Sequence, residues 1–226
     1  MAKDGGLHAG RRETDNAADR LRTRLLDGEF TFGQRLAETR LAQELGIGRG
    51  RVRETLRQLV GEGFLESIPN RGVFVREYSR SELLAMYRVR EVLEGLAARM
   101  AAERVLSPAE IGQLEHAQET LNGARQTRDA ERFARGAAAW HTVVGRLSHS
   151  SSISDLMHHV CPPLMHLPPL LALNAAGIDR SCRDVGLVTS AILGNAPDAA
   201  EAAMRAHVRS DAARIAMLPE PATTGV

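Results

Sequence analysis

The sequence predicts a mainly α chain in two parts. The first is an N-terminal winged helix-turn-helix of three helices plus a β-hairpin, and the second is an all-α antiparallel helical bundle. Three observations carry this. Apolar residues recur at helical spacing along most of the chain. Gly46-Ile47-Gly48 breaks two short amphipathic stretches apart. Two alternating segments flank Pro69-Asn70-Arg71-Gly72.

Residues 1–12 are charged and Gly-rich and are expected to be disordered. From there, residues 13–76 read as the winged helix-turn-helix domain. Ala18, Leu21, Leu25 and Leu26 set a first helix, with Asp15 placed to cap it and Gly28 to end it. Phe30–Leu36 reads as a turn-like link. Leu41, Ala42 and Leu45 mark a short second helix. Val52, Leu56, Leu59 and Val60 share one face of a third helix, from about Arg49 to Gly61. Phe64–Ile68 and Val73–Val75 alternate about the Pro69–Gly72 turn, the pattern of a hairpin. Residues 77–80 form a linker. Residues 81–217 show no strand pattern and divide into Ser81–Ala102, Pro108–Arg125, Ala130–Ser148, Ser152–Val160, Leu164–Ala175, Arg180–Leu193 and Pro197–Met217 as helices, with Ser81, Ser107 and Asn195 at helix starts. Residues 218–226 form a flexible tail.

A chain of 226 residues with 43% apolar and 25% charged content suits two cores. No apolar run approaches the ~18 residues of a membrane span, and the N-terminus lacks a signal-peptide pattern, so the cytoplasm, with association to the nucleoid, is the expected location. Cys161 and Cys182 lack CxxC spacing and read as reduced thiols. The net charge of +1 divides unevenly: residues 1–80 hold 15 Lys+Arg against 12 Asp+Glu, whereas residues 81–226 hold 14 against 16. Basic character therefore sits at the end that would meet phosphates. Lys3 is the lone lysine, a bias that carries no functional weight.

Arg40–Leu59 reads RLAQELGIGRGRVRETLRQL. Leu41, Leu45, Ile47, Val52 and Leu56 are placed to pack inward, which leaves Arg49, Arg51, Arg53 and Arg57 at or near the start of the third helix. Arginine forks match guanine edges, and a helix N-terminus favours phosphate. A basic solvated helix face would look similar in isolation. The Gly turn before it and the hairpin after it favour a groove-reading helix.

These same residues resemble the DNA-binding domain of GntR-family regulators. Phe32-Gly33-Gln34-Arg35-Leu36, Leu41-Ala42-Gln43-Glu44-Leu45-Gly46-Ile47, Arg49, Val52-Arg53-Glu54 and Leu56 follow the family's helix-turn-helix pattern. Glu62-Gly63-Phe64-Leu65 and Pro69-Asn70-Arg71-Gly72-Val73-Phe74-Val75 follow its wing. The resemblance implies that Arg49 and Arg53 contact bases or phosphates. It also implies that Arg40 reaches backbone, that Arg71 and Gly72 form the wing tip near the minor groove, and that Arg51, standing where the family has proline, adds a phosphate contact. Phe32 replaces the usual proline before Gly33, and Gly48 a Ser or Thr.

Residues 81–217 resemble the FadR-type, or FCD, effector domain, carried by Tyr87–Glu94, Trp140-His141, Ala191-Ile192 and Met204–Val208. The resemblance implies a ligand cavity with Arg90, Trp140, His141 and His207 as candidate effector contacts; an inward Arg90 would hold an acidic effector, and a salt bridge with Glu91 or Glu94 is its alternative. Many members bind a divalent metal through one Asp and three His. Here His141 and His207 match, but Ala137 and Val185 stand at the other two positions. The sequence therefore favours His141 and His207 as cavity polar groups over a tight metal site, which would need Asp184, His158 or His159 as substitutes. No other cofactor is implied.

The expected function is a DNA-binding transcriptional regulator, acting as a repressor. It would bind an inverted-repeat operator as a homodimer and be controlled by a small-molecule effector, an organic acid or acyl compound. Two alternatives remain: a regulator or architectural DNA-binding protein whose cavity is effector- and metal-independent, and, remotely, a metalloenzyme. The absence of a nucleophile elbow, a phosphate-cradling Gly loop and HExxH speaks against an enzyme.

Overall fold

The computed structural model describes residues 16–25, 28–160 and 174–217, and side chains of residues 158–160 are outside that description. The Asp15 cap, Cys161, the expected disorder of residues 1–12, the helix expected over Leu164–Ala175 and the expected flexible tail over 218–226 lie wholly or mostly outside the described residues, as do the His158 and His159 side chains. The described chain falls into two compact units, one ending at Tyr78 and one beginning at Ser79.

In the first unit, helix α1 (16–25) ends ahead of Gly28, whose φ of +74° lets its N–H return to Leu25 O. Strand β1 (Arg35–Leu36), α2 (Glu38–Leu45), α3 (Arg49–Gly61), β2 (Leu65–Ile68) and β3 (Gly72–Val75) follow. Helix α2 stops because Gly46 adopts the left-handed conformation, φ 69°, and returns its N–H to Ala42 O. One core holds these elements: Leu21, Leu25, Leu36, Leu41, Leu45, Val52, Leu56, Leu59, Leu65 and Val75 are buried together, with Ile47 and Val60 partly buried against them. Burial of this apolar face, at ~25 cal/mol per Å², rather than helix propensity, holds α2 and α3 in place.

The strands correct the expected simple hairpin. The sheet has three strands in the order β1-β3-β2, all antiparallel, with Arg35 opposite Phe74 and Leu36 opposite Val73. Arg35 is exposed and Leu36 buried, so the segment read as a turn-like link is partly strand. Gly72 is the first residue of β3, paired with Ile68, and not part of the turn; Asn70 supplies the turn's positive φ of 61°.

The second unit comprises α4 (Arg80–Ala102), α5 (Pro108–Thr127), α6 (Ala130–Leu147), α7 (Ser151–Val160), α8 (Ala175–Leu193) and α9 (Pro197–Ala216). Helix α4 packs along α9 and against α6, α7 and α8, while α5 covers α6 and α8. Trp140, Tyr87, Phe133, Leu114, Leu121 and Ile192 are its largest fully buried side chains. Among the described residues no helix is long and apolar enough to cross a membrane.

Several helix ends depart from expectation. Ser79, not Ser81, caps α4: its hydroxyl accepts from Glu82 N and the Glu82 carboxylate accepts from Ser79 N, a complete capping box. Ser107 and Glu110 repeat this at α5, which runs to Thr127 before Arg128 turns left-handed at φ 53°. Helix α8 begins at Ala175 rather than Arg180, because Asn174 accepts from Gly177 N and starts the helix five residues early. Asn195 does not cap α9. Its φ is +49° and its amide donates to Ala102 O and Arg104 O, fastening the α8–α9 turn to the end of α4.

Candidate nucleic-acid interface and buried polar cluster

Within the first unit, α3 presents its start to solvent. Gly48 precedes it in an extended conformation with no side-chain cap, and no acidic residue lies in the first turn. The first intrahelical donor is Val52 N, to Gly48 O, so the amides of Arg49, Gly50 and Arg51 face outward at the positive end of the helix dipole. Arg49, Arg53 and Arg57 are exposed and Arg51 half-buried. The buried side of the same helix is Val52, Thr55, Leu56 and Leu59. The 3.6-residue period thus separates arginines from core within one element.

Two candidates already have carboxylate partners. Arg53 Nε donates to Glu38 Oε2 at 2.8 Å, and Arg40 Nε donates to Glu44 Oε1 at 2.6 Å. Arg53 and Arg40 are 59% and 73% exposed, so these pairs contribute little to stability. On the sheet, Arg71 is exposed with its guanidinium 5.8 Å from the Phe74 ring centroid. Gly72 has φ +110°, and a Cβ there would lie 3.2 Å from Arg35 Nε. Arg35 is therefore a further cation beside the wing, which the sequence reading missed. A polar Arg35 followed by an apolar Leu36 is too short an alternation to have signalled it.

The second unit holds a buried polar cluster that joins four helices. Arg90 and Glu94, one turn apart on α4, are 7% and 4% exposed, and Arg90 Nε donates to Glu94 Oε1 at 2.6 Å. Of the two readings of Arg90, an inward anchor for an acidic effector or a salt bridge with Glu91 or Glu94, the geometry shows the pair with Glu94, buried within the helical unit and not on its surface. The other Glu94 oxygen lies 2.7 Å from His141 Nδ1 of α6. His141 Nε2 lies 3.4 Å from His207 Nε2 of α9, with the two rings stacked at 20°. His207 Nδ1 lies 3.7 Å from Asp184 Oδ2 of α8, and Asp211 Oδ2 lies 4.0 Å from His207 Nε2. Trp140 stands edge-on to both imidazoles and donates from Nε1 to Thr189 Oγ1 at 3.2 Å. Burial alone would raise the Glu94 carboxyl, but Arg90's charge and the His141 contact bring it down to about 2. Burial holds the His141 imidazole below its usual range, with Glu94 opposing that.

The residues present do not fit the four-ligand metal set. Ala137 and buried Val185 offer no donor atom, and the added carboxylate, Glu94, is held by Arg90. Among the described residues no group of three or more His, Cys, Asp or Glu side chains is arranged to hold a metal ion. Sequence reasoning found Trp140, His141 and His207 and named Glu94 as an alternative partner of Arg90, from a spacing of facing helix positions, but not the contact of Glu94 with His141.

Comparison with known proteins gives two family matches: residues 13–75 match the gntR family of bacterial regulatory proteins, and residues 85–210 match the FCD domain. A protein of Paenarthrobacter nicotinovorans named "Probable D-xylose utilization operon transcriptional repressor" is 28% identical over 188 residues, 81% of this chain and 80% of that one. The HTH-type transcriptional regulator McbR of Escherichia coli is 32% identical over 113 residues, 50% of this chain and 51% of that one. Among solved structures, E. coli McbR/YncC superposes with a TM-score of 0.79 at 22% identity, covering 90% of this chain and 97% of that one. A GntR regulator from Rhodococcus sp. RHA1 superposes with a TM-score of 0.75 at 22% identity, with the same coverages of 90% and 97%.

Proposed function

The chain belongs to the gntR family of bacterial regulatory proteins with a C-terminal FCD domain, and from that premise we propose which of its residues act and how. It is a DNA-binding transcriptional regulator with an effector-binding domain, and not an enzyme. The start of α3 enters the major groove, with Arg49, Arg51 and Arg53 reaching bases and phosphates. Arg40 touches backbone, and Arg71, Gly72 and Arg35 approach the flanking groove as the wing. The observation that carries this assignment is the exposed arginine turn at an uncapped, acid-free helix N-terminus.

The protein acts as a homodimeric repressor in the cytoplasm, associated with the nucleoid, on a short inverted repeat whose symmetry mirrors its own. Residues 13–76 form the reading head, 77–80 the linker and 81–217 the effector domain. A small molecule bound among α4, α6, α8 and α9 shifts the population of DNA-competent dimers, as any ligand with differential affinity for two states must. The Paenarthrobacter relative is named for a D-xylose utilization operon, which makes polyhydroxy compounds one class to screen. A second reading, a regulator without an effector, is favoured by the internal neutralisation of Arg90 by Glu94. Selection of genomic fragments by the purified protein, followed by gel shifts with Arg49→Ala and Arg53→Ala, tests the interface. Wild-type binding by both variants overturns it.

A further inference from the structure

One face of the small sheet carries two arginines that neither the core nor a carboxylate of the first unit engages. Arg35 of β1 stands opposite Phe74 of β3, so the two side chains share a face, and Gly72, two residues before Phe74, belongs to that face as well. Arg35 does not stand straight up from the sheet. Its Nε lies 3.2 Å and its Nη2 3.5 Å from the point that a Gly72 Cβ would occupy, so the guanidinium leans toward the turn and lies across bare backbone. Arg71, in the turn, folds the other way and brings its guanidinium 5.8 Å from the Phe74 ring centroid. Two guanidiniums therefore gather about Gly72 and Phe74 at the turn end of one face. Charge partners set them apart from their neighbours. Arg22, Arg24, Arg40 and Arg53 each pair with a carboxylate. Among the described residues neither Arg35 nor Arg71 does, although Glu66 of β2 shares their face, and both are exposed.

We infer that Arg35, lying across Gly72, enters the DNA minor groove beside the sequence that α3 reads and selects A·T pairs there, with Arg71 at the phosphate rim. The inference rests on the reading of the first unit as a DNA-binding head and specifies what its sheet recognises. Groove dimensions separate the two kinds of contact. The minor groove is ~6 Å wide, which excludes paired strands ~4.8 Å apart with their side chains but admits one extended guanidinium chain. Where A·T pairs run together the groove narrows and its potential becomes more negative, which draws an arginine in. Arg35 is free to respond because no carboxylate holds it. Gly72 supplies the complementary surface: with φ +110° and no side chain, it lets the guanidinium lie flush against the turn instead of holding it away.

Genomic fragments selected by the full-length protein and by full-length Arg35→Ala are sequenced side by side. The wild type is expected to enrich A·T pairs at a fixed distance from the repeat, and Arg35→Ala to keep the repeat and lose those flanks. Gel shifts then use one selected duplex and a copy whose flanking adenines are replaced by 2,6-diaminopurine. That base adds an amino group in the minor groove and leaves the major-groove edge as it was. The wild type should bind the substituted duplex about tenfold more weakly, within the range of one arginine contact. Arg35→Ala should bind both duplexes alike, about tenfold below the wild type on the natural one. Because Arg35 is exposed, its variant should melt like the wild type by circular dichroism, so weaker binding reports contact and not unfolding. Wild-type indifference to diaminopurine, wild-type affinity in Arg35→Ala, or a variant that still discriminates the two duplexes overturns the inference while the DNA-binding reading stands. A wild-type protein that selects no fragment at all refutes that reading and the inference with it.

Discussion

Removing the charge of Glu94 strands Arg90 inside the helical unit. The guanidinium and the carboxylate are 7% and 4% exposed and 2.6 Å apart, and the second carboxylate oxygen lies 2.7 Å from His141 Nδ1. Leaving one partner of such a pair unopposed costs about 3–5 kcal/mol. Titration leads to a similar size. The folded carboxyl stands at about 2, because Arg90 and His141 outweigh burial, whereas an unfolded glutamate titrates near ~4.3. A depressed folded value means stability that is present above the unfolded pKa and lost as pH falls from there toward 2. The gap corresponds to about 3 kcal/mol. Urea denaturation followed by the fluorescence of Trp140, the single tryptophan, reports on this unit. Glu94→Gln and Arg90→Met should each lose about 3 kcal/mol at neutral pH. The double variant Arg90→Met/Glu94→Leu should recover to within ~1 kcal/mol of wild type, since an apolar pair of similar volume carries no desolvation penalty. The wild-type advantage over Glu94→Gln should shrink in acid. A Glu94→Gln loss below ~1 kcal/mol, or a double variant no better than the sum of its parts, refutes the reasoning.

Arg49→Ala and Arg53→Ala should each cost ~1–3 kcal/mol of operator affinity in gel shifts, with stability unchanged to within ~1 kcal/mol because the Arg53–Glu38 pair is exposed. Gly72→Ala should destabilise the first unit by about 1–2 kcal/mol in urea melts, since φ is +110° and the new methyl meets Arg35. Ser79→Ala removes the hydroxyl of the α4 capping box and should cost about 1 kcal/mol, read from the same denaturation curves. Trp140→Ala, at a side chain with no exposed surface, should cost about 3–5 kcal/mol by calorimetry.

Local chemistry wrote much of this fold into the chain. The third helix was legible to the residue, Arg49–Gly61, because Gly48 precedes it and its apolar face repeats at the helical period. The hairpin was legible from alternation around one turn. Strand β1 was not, because two residues carry too short a pattern to be told from a link; it exists because β3 offers an open edge to pair with. The early start of α8 escaped notice because Asn174 precedes a segment whose apolar periodicity begins only at Ile178.

What the sequence alone determined was the separation of arginines from core at the start of α3, since periodicity within a single helix assigns each side chain a face. It also named the two surviving imidazoles. Only tertiary structure decided what those imidazoles do. Glu94, His141, Asp184 and His207 lie on four helices, and no spacing along one chain encodes which nitrogen meets which oxygen. The four-residue spacing on α4 offered Glu94 to Arg90, and packing α4 against α6 and α9 buried that pair and brought His141 and His207 up to it.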